Sequence, residues 1–251
     1  MPAHGFRAMG YAFARRTANL LSRSVAQEPL GHDFERAVSR VQPYTMTSRE
    51  RMYALWQAVD YVVRSEIEGD FVECGVWRGG SSMLAALAFA AAGDARSIWM
   101  YDTYAGMTTP TGRDRLVNGQ LASERLAGQD PKTGGDWAYA SLRDVRAHMA
   151  SVQEYPTDRL HFVEGPVEQT IPTHAPEDIS ILRLDTDWYA STKHELVHLW
   201  PRLTTGGVLI VDDYGHWQGA REAVDEYIAE HQIDVLLHRI DYTGRAAVKL
   251  R

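Results

Sequence analysis

Four aspartates in two short clusters are the residues of this chain best suited to chemistry. Asp185 and Asp187 stand in L-R-L-D-T-D-W-Y, and Asp212 and Asp213 in V-L-I-V-D-D-Y-G. Each cluster closes a short apolar run that reads as a buried strand. Carboxylates at the carboxyl ends of parallel strands lie on the ligand-binding edge of an open α/β sheet. Gathered there, like charges repel, and they stay ionised together only around a cation. Oxygen donors of this kind suit a hard divalent metal, and the expected ion is Mg²⁺. One such pair alone reads equally well as an Asx turn or a cap on the turn that follows. Two pairs on one strand edge favour the metal.

A second signal lies in F-V-E-C-G-V-W-R-G-G-S-S-M, which joins a short apolar run to a helical one. Gly75, Gly79 and Gly80 stand as G-x-x-x-G-G, not as G-x-G-x-x-G. Glycine permits positive φ and close approach of a ligand to the backbone, and a helix N-terminus offers free N–H donors. Asp102, 27 residues after Gly75, ends the next apolar run. An acid there commonly accepts the two ribose hydroxyls of a nucleoside; its plain structural role would be a turn or helix cap. Turn and acid together favour a nucleoside-containing cofactor, whether NAD, a nucleotide or S-adenosylmethionine. Glu73, just before the turn, would repel a pyrophosphate and tolerate a cationic sulfonium, which favours S-adenosylmethionine.

The elements that must position these groups alternate. Strands are predicted at D-F-V-E-C-G, S-I-W-M-Y-D, L-H-F-V-E-G, I-S-I-L-R-L-D, G-V-L-I-V-D-D, V-L-L-H-R-I and A-A-V-K-L. Helices are predicted from Gly79 to Ala92, Arg143 to Gln153, Ala190 to Arg202 and Gly219 to His231, with T-T-G-G as the stop signal of the third. This alternation implies βαβ units, a mostly parallel sheet and helices on both faces. The last two strands, joined by the turn-like D-Y-T-G-R, suit an antiparallel hairpin. Residues before Asp70 read as helical, with Arg49 to Glu68 the clearest case, and form part of the same domain. Tyr104 to Tyr139 lacks periodicity and leaves from a strand end on the ligand edge, so it reads as a lid insertion.

Bulk properties narrow the classes. The 251 residues suit one large α/β domain, and 45% hydrophobic content is ordinary for a soluble protein. A net charge of -7 argues against a sequence-independent grip on nucleic acid. Cys74 is the single cysteine, which excludes an intramolecular disulfide and makes a cytoplasmic home the default. No stretch is long and apolar enough to span a bilayer. The basic, weakly apolar start lacks the apolar core of a signal peptide. A helix there would pack on the domain or on a partner subunit, so a homo-oligomer, most simply a dimer, is expected.

Taken together, F-V-E-C-G-V-W-R-G-G, Y-D-T-Y-A-G, F-V-E-G, L-R-L-D-T-D-W-Y and G-G-V-L-I-V-D-D-Y resemble the macrocin O-methyltransferase family, from about Pro43 to the C-terminus. The resemblance implies a Rossmann-like class I methyltransferase with a mostly parallel seven-stranded sheet. It also implies S-adenosylmethionine and Mg²⁺ as cofactors and a sugar hydroxyl, on a small molecule or an oligosaccharide, as acceptor. By the same resemblance Asp185, Asp212 and Asp213 hold the metal, and Asp187 is the general base. Glu73 and Gly75 form the cofactor turn, Asp102 holds the ribose, Gly165 lines the adenine, and Thr45 and Met46 in P-Y-T-M cover the cofactor. Thr186 departs from the family, in which glycine is common at that position, and the first forty residues have no clear counterpart.

The chemistry is consistent. A sulfonium donor is already activated, so the missing ingredient is a nucleophile. A metal lowers the pKa of a bound hydroxyl, and a vicinal diol suits chelation; a neighbouring carboxylate, Asp187, then takes the proton. Trp188, Tyr189, Tyr214 and Trp217 offer aromatic faces to a sugar ring or else pack in the core. His194 and His198 read as an ordinary helix face, and His216 as a second base or acceptor contact or, more simply, an ordinary surface or core histidine. A catechol-like diol is the rival acceptor. A nucleotide-dependent oxidoreductase and a non-catalytic nucleoside-binding regulator are rivals of other classes.

Overall fold

Every apolar run expected as a strand enters one sheet. The computed structural model describes residues 30–130, 132 and 137–251. Its strands are β1 (Asp70–Cys74), β2 (Ile98–Asp102), β3 (Leu160–Glu164), β4 (Ile179–Leu184), β5 (Leu203–Val211), β6 (His238–Arg239) and β7 (Arg245–Val248). They lie in the order β3-β2-β1-β4-β5-β7-β6. The first five in that order run parallel, and β7 is antiparallel to both β5 and β6. Strand order reverses between β1 and β4, which opens a crevice outside their carboxyl ends.

Helices α1 (His32–Val41) and α2 (Arg49–Arg64) precede the sheet. They are followed by α3 (Gly80–Ala91), α4 (Ala122–Leu126), α5 (Leu142–Ala150), α6 (Val167–Thr170), α7 (Tyr189–Leu199) and α8 (Gln218–Glu230). α2 and α5 each pack on α3, whereas α6 and α8 each pack on α7. The two-residue period of the strands decides which layer each side chain meets. Val72 and Cys74 of β1 enter the apolar cluster with Leu196, Leu199, Val224 and Tyr227. Phe71 instead meets Phe89 of α3 edge-on, and Glu73 accepts a hydrogen bond from Ser82 of α3. Ser48 and Ser141 accept N–H bonds from the first turns of α2 and α5, which starts both helices cleanly. No helix among the described residues is long and apolar enough to cross a membrane.

The boundaries differ from expectation in two places. T-T-G-G does not stop α7; that helix ends at Leu199, a 3₁₀ turn through Pro201 follows, and Thr204–Gly207 already belong to β5. The register jumps from Ile179↔Leu203 to Ile181↔Val208, so the glycine pair serves a bulge. The sixth strand is only two residues long, because Val235 and Leu237 pack against the core cluster instead of pairing. The hairpin itself forms as expected, closed by Asp241 Oδ1, which accepts from the Thr243 and Gly244 amides at 2.8 and 2.6 Å.

The 104–139 insertion carries α4 and two isolated bridges, Arg115↔Leu121 and Leu116↔Trp217. Leu116, Ala122 and Leu126 bury themselves against Trp188, Trp217 and Ala220, so the insertion folds back over the starts of α7 and α8. Residues Asp33–Arg251 form one compact unit, which joins the helices before β1 to the sheet. The expectation of a packed N-terminal helix falls largely outside the described residues.

Gly75 is a tight joint of this frame, at the acidic edge. Its φ is +84°, and a Cβ there would lie 2.1 Å from the carbonyl oxygen of Asp185. Gly93 has a φ of +73° with nothing within 4 Å of its Cβ position. Gly75→Ala is therefore expected to cost about 3 kcal/mol or more, since strain and clash add, and Gly93→Ala about 1 kcal/mol from strain alone. Urea unfolding of both variants checks the difference.

Candidate active site

The sheet brings the two acidic clusters side by side. The Asp185 amide donates to the Cys74 carbonyl at 2.8 Å, and the Asp212 amide donates to the Leu184 carbonyl at 2.9 Å. Thus β1, β4 and β5 end level, with the glycine turn beside D-T-D and D-T-D beside D-D. Past Asp185 the chain turns sharply: the Trp188 amide donates to the Thr186 carbonyl at 2.8 Å, and Asp187 adopts a left-handed φ of +68°. The turn swings Asp187 back, so that ligand oxygens of Asp185, Asp187 and Asp213 all lie within 4.8 Å of one another.

Asp212 is engaged differently. It is 3% exposed, and each of its oxygens accepts from an arginine. Arg183 Nη2 donates to Oδ1 at 2.5 Å, and Arg51 Nη1 donates to Oδ2. The grouping therefore differs from the expected ligand set: Asp187 stands with Asp185 and Asp213, and Asp212 faces two guanidinium groups. A buried carboxylate needs paired charge, and the interior supplies it here.

Arg183 is the residue the sequence reading passed over. It is 2% exposed, in register with Glu73 across β1 and β4. Its Nη1 donates to Glu73 Oε1 and to Asp185 Oδ2, both at 2.7 Å, and its Nη2 also reaches Thr47 Oγ1 at 3.3 Å. Arg51, from α2, adds a bond from Nε to Asp241 Oδ2 at 3.0 Å. One signal existed: a lone arginine and a lone glutamate, each inside an apolar strand buried on both faces, need partners.

The acids facing the crevice are held away from their ordinary protonation behaviour. Burial, with repulsion from Asp212 and Asp213, pushes Asp185 well above the usual carboxylate range, and Arg183 opposes the shift. Burial and the charges of Asp187 and Asp212 do the same to Asp213. Burial first, then Asp185 and Asp212, pushes Asp187 up to about 7, against a hydrogen bond with Asp213. Three crowded, part-exposed carboxyls short of positive charge are a donor set that a hard cation fits.

The expected cofactor residues ring the neighbouring turn. Glu73 is 1% exposed, with Oε1 on Arg183 and Oε2 on the Ser82 hydroxyl. Its charge is met inside the protein, so it does not discriminate between pyrophosphate and sulfonium as the sequence suggested. Asp102 Oδ2 accepts from the Val76 and Trp77 amides at 2.7 and 2.9 Å, and Oδ1 from the Tyr104 amide at 2.7 Å. It shapes the glycine turn, which is the capping role. The Gly165 amide donates to the Asp102 carbonyl at 2.9 Å, so the two expected cofactor contacts are neighbours. P-Y-T-M lies against the start of α3: a Cβ at Gly80 would meet Thr45 Cβ and the Tyr44 carbonyl at 2.6 Å. Met46 is 61% exposed. A cavity of about 310 Å³ beside Tyr44 and Arg78 is lined by none of the four aspartates, so the chemistry is read from the carboxylates.

The aromatic residues at this edge pack or anchor. Trp188 and Trp217 are buried under the insertion and meet edge-on at 4.9 Å. The Tyr189 hydroxyl donates to Glu226 at 2.5 Å and the Tyr214 hydroxyl to Asp225 at 2.7 Å. Between His194 and His198 stands Glu195, so H-E-L-V-H has the spacing of a zinc-binding helix, which the reading as a plain helix face missed. The geometry does not build that site. His194 Nε2 lies 3.0 Å from the Ile171 carbonyl, and Glu195 points into the core. Asp185, Asp187 and Asp213 are the metal-capable group found among the described residues.

A β3-β2-β1-β4-β5-β7-β6 sheet with an antiparallel final strand pair, a glycine turn after β1 and an acid ending β2 defines a Rossmann-like class I methyltransferase. The chain belongs to the macrocin O-methyltransferase (TylF) family, whose model matches residues 13–249, and is an S-adenosylmethionine-dependent O-methyltransferase. It is 32% identical over 204 residues to the 8-demethyl-8-(2,3-dimethoxy-alpha-L-rhamnosyl)-tetracenomycin-C 4'-O-methyltransferase of Streptomyces olivaceus, covering 80% of this chain and 74% of that protein. It is 31% identical to the mycinamicin III 3''-O-methyltransferase of Micromonospora griseorubida, covering 80% and 76%. The solved O-methyltransferase NovP superposes with a TM-score of 0.71 at 30% identity, covering 83% of each chain.

Arg183→Met keeps most of the side-chain volume and leaves Glu73, Asp185 and Asp212 without their shared cation. A loss of about 3–5 kcal/mol in unfolding free energy is expected, read from urea unfolding at neutral pH.

Proposed function

We propose that this methyltransferase acts on a hydroxyl of a sugar unit, on a natural-product glycoside or an oligosaccharide precursor, and that it depends on Mg²⁺. The observation that carries the reading is the convergence of Asp185, Asp187 and Asp213 beside the glycine turn. The sugar acceptor rests on the relatives, one named for a rhamnosyl substrate.

In this reading Asp185 and Asp213 hold the cation. Asp212 completes the set, since a carboxylate oxygen that accepts one hydrogen bond keeps a further lone pair. Mg²⁺ when bound makes an acceptor hydroxyl more acidic and orients it. Asp187, which stands beside those ligands, would take the hydroxyl proton. Gly75 admits the cofactor to the backbone, and Asp102, Gly165, Thr45 and Met46 surround it. Glu73 contributes through Arg183 and the turn that it supports. The insertion that covers the strand ends excludes water and bounds the acceptor. A reduced, buried Cys74 suits a cytoplasmic home, and the expected homodimer is read by light scattering.

Membership of a methyltransferase family sets aside the oxidoreductase reading. A catechol-like diol remains the rival acceptor, because it chelates a metal in the same way. Incubation with isotope-labelled S-adenosylmethionine and a panel of glycosides and catechols, with Mg²⁺ or with EDTA, separates them by mass spectrometry. Methylated glycoside with Mg²⁺ alone is the expected product. Methylated catechol without methylated glycoside overturns the acceptor, and undiminished methylation in EDTA overturns the metal. Asp187→Asn is expected to lower kcat by about 10²–10⁴-fold with cofactor affinity unchanged in calorimetry. Near-normal turnover removes Asp187 from the role of base.

A further inference from the structure

Behind the D-T-D turn lies a polar pair, one member fully buried, that the proposed chemistry does not use. Thr186 separates Asp185 from Asp187, and its hydroxyl donates to Glu195 Oε1 at 2.9 Å. Glu195 sits on α7, is fully buried, and its Oε2 meets no partner. It forms no ion pair among the described residues, and burial drives its carboxyl well above the ordinary range. A leucine or alanine at this helix position would pack without any such penalty. The acid therefore persists at a cost to packing, and its single hydrogen bond runs to the turn.

That turn needs holding. Asp187 has a φ of +68°, a left-handed conformation that carries strain for a residue with a Cβ, though less for aspartate than for most. Thr186 is fixed from both ends: its carbonyl accepts from the Trp188 amide at 2.8 Å and from Ser191 Oγ at 3.5 Å, and its hydroxyl is on Glu195. If the hydroxyl anchor is removed, the peptide between the two acids is free to relax out of its left-handed turn. Asp187 would then leave the group that it forms with Asp185 and Asp213.

We propose that Thr186 and Glu195 are positioning residues, a latch that holds the Asp185–Asp187 turn in the shape the metal and base site requires. The proposal rests on the reading of those acids given above. A zinc site on H-E-L-V-H is the other use for Glu195, and its engagement with Thr186 in the core rules against it.

The test uses Thr186→Val, Glu195→Leu, the double variant, and the conservative Thr186→Ser and Glu195→Gln, all in the full chain. Mn²⁺ affinity is read by electron paramagnetic resonance, alongside kcat, KM for S-adenosylmethionine and Tm. Outer partners of a metal site are typically worth about 10–100-fold in affinity. Thr186→Val and Glu195→Leu should weaken Mn²⁺ binding by about tenfold or more, and lower kcat with KM for the cofactor unchanged. The two conservative variants should stay close to wild type. The double variant removes both polar partners, so its Tm should recover while Mn²⁺ affinity and kcat stay low. Recovery of all three together, or single variants that bind and turn over normally, overturns the proposal. A wild-type enzyme that binds no Mn²⁺ sinks the metal reading instead. In that case amide exchange over 184–189 decides the latch: faster exchange in Thr186→Val and Glu195→Leu supports it, and unchanged exchange overturns it.

Discussion

One buried guanidinium organises the acidic edge of the sheet. Arg183 touches Glu73 on β1, Asp185 at the tip of β4 and Asp212 at the tip of β5, all within 2.7 Å. Three strands are thereby tied by charge at the point where their backbones end. Burying charged groups is expensive, and it is tolerated only where the hydrogen bonds are nearly complete. Here they are: Ser82 takes the free oxygen of Glu73, and Arg51 takes that of Asp212. Arg51 comes from α2 and also holds Asp241 in the β6–β7 turn, so the network reaches from the first helices to the last hairpin.

That constraint explains the division of labour among the four aspartates. Positive charge inside the sheet serves Asp212 from two sides. It reaches Asp185 from one side, and neither arginine bonds to Asp187 or Asp213. The side of the group that faces the crevice is therefore short of cations, and its carboxyls rise in pKa. An interior that neutralised all four would leave nothing for a ligand to do. The left-handed Asp187 and the Thr186–Glu195 bond behind it belong to the same arrangement, since they keep the acids crowded rather than dispersed.

The insertion between β2 and α5 closes the edge by the same kind of substitution. Asp114, fully buried, accepts from the Tyr189 amide at 2.8 Å and so caps α7 from outside its own segment. Its other oxygen accepts from the Thr111 amide and hydroxyl at 2.6 and 2.8 Å. Gly219 admits this contact, because a Cβ there would stand 2.5 Å from Asp114 Oδ1. The tryptophans that suggested a sugar platform are covered by this segment, which needs their apolar area to stay in place.

Local pattern was enough for the strands, the parallel sheet and the placing of both acidic pairs on one edge. Apolar runs of period two and glycine turns are written in neighbouring residues, and the motifs around Gly75, Asp102 and D-T-D were legible for that reason. Side-chain partners were not, because they come from residues far apart in the chain: Arg51 lies 161 positions from Asp212, and Arg183 lies 110 from Glu73. Glu73 and Asp102 read as ligand contacts, and their hydrogen bonds within the protein came only with the structure. Sequence by itself determined which groups reach the crevice. Tertiary structure decided which of them remain uncompensated there, because charge pairing is settled by distances of a few ångströms between elements that no local pattern relates.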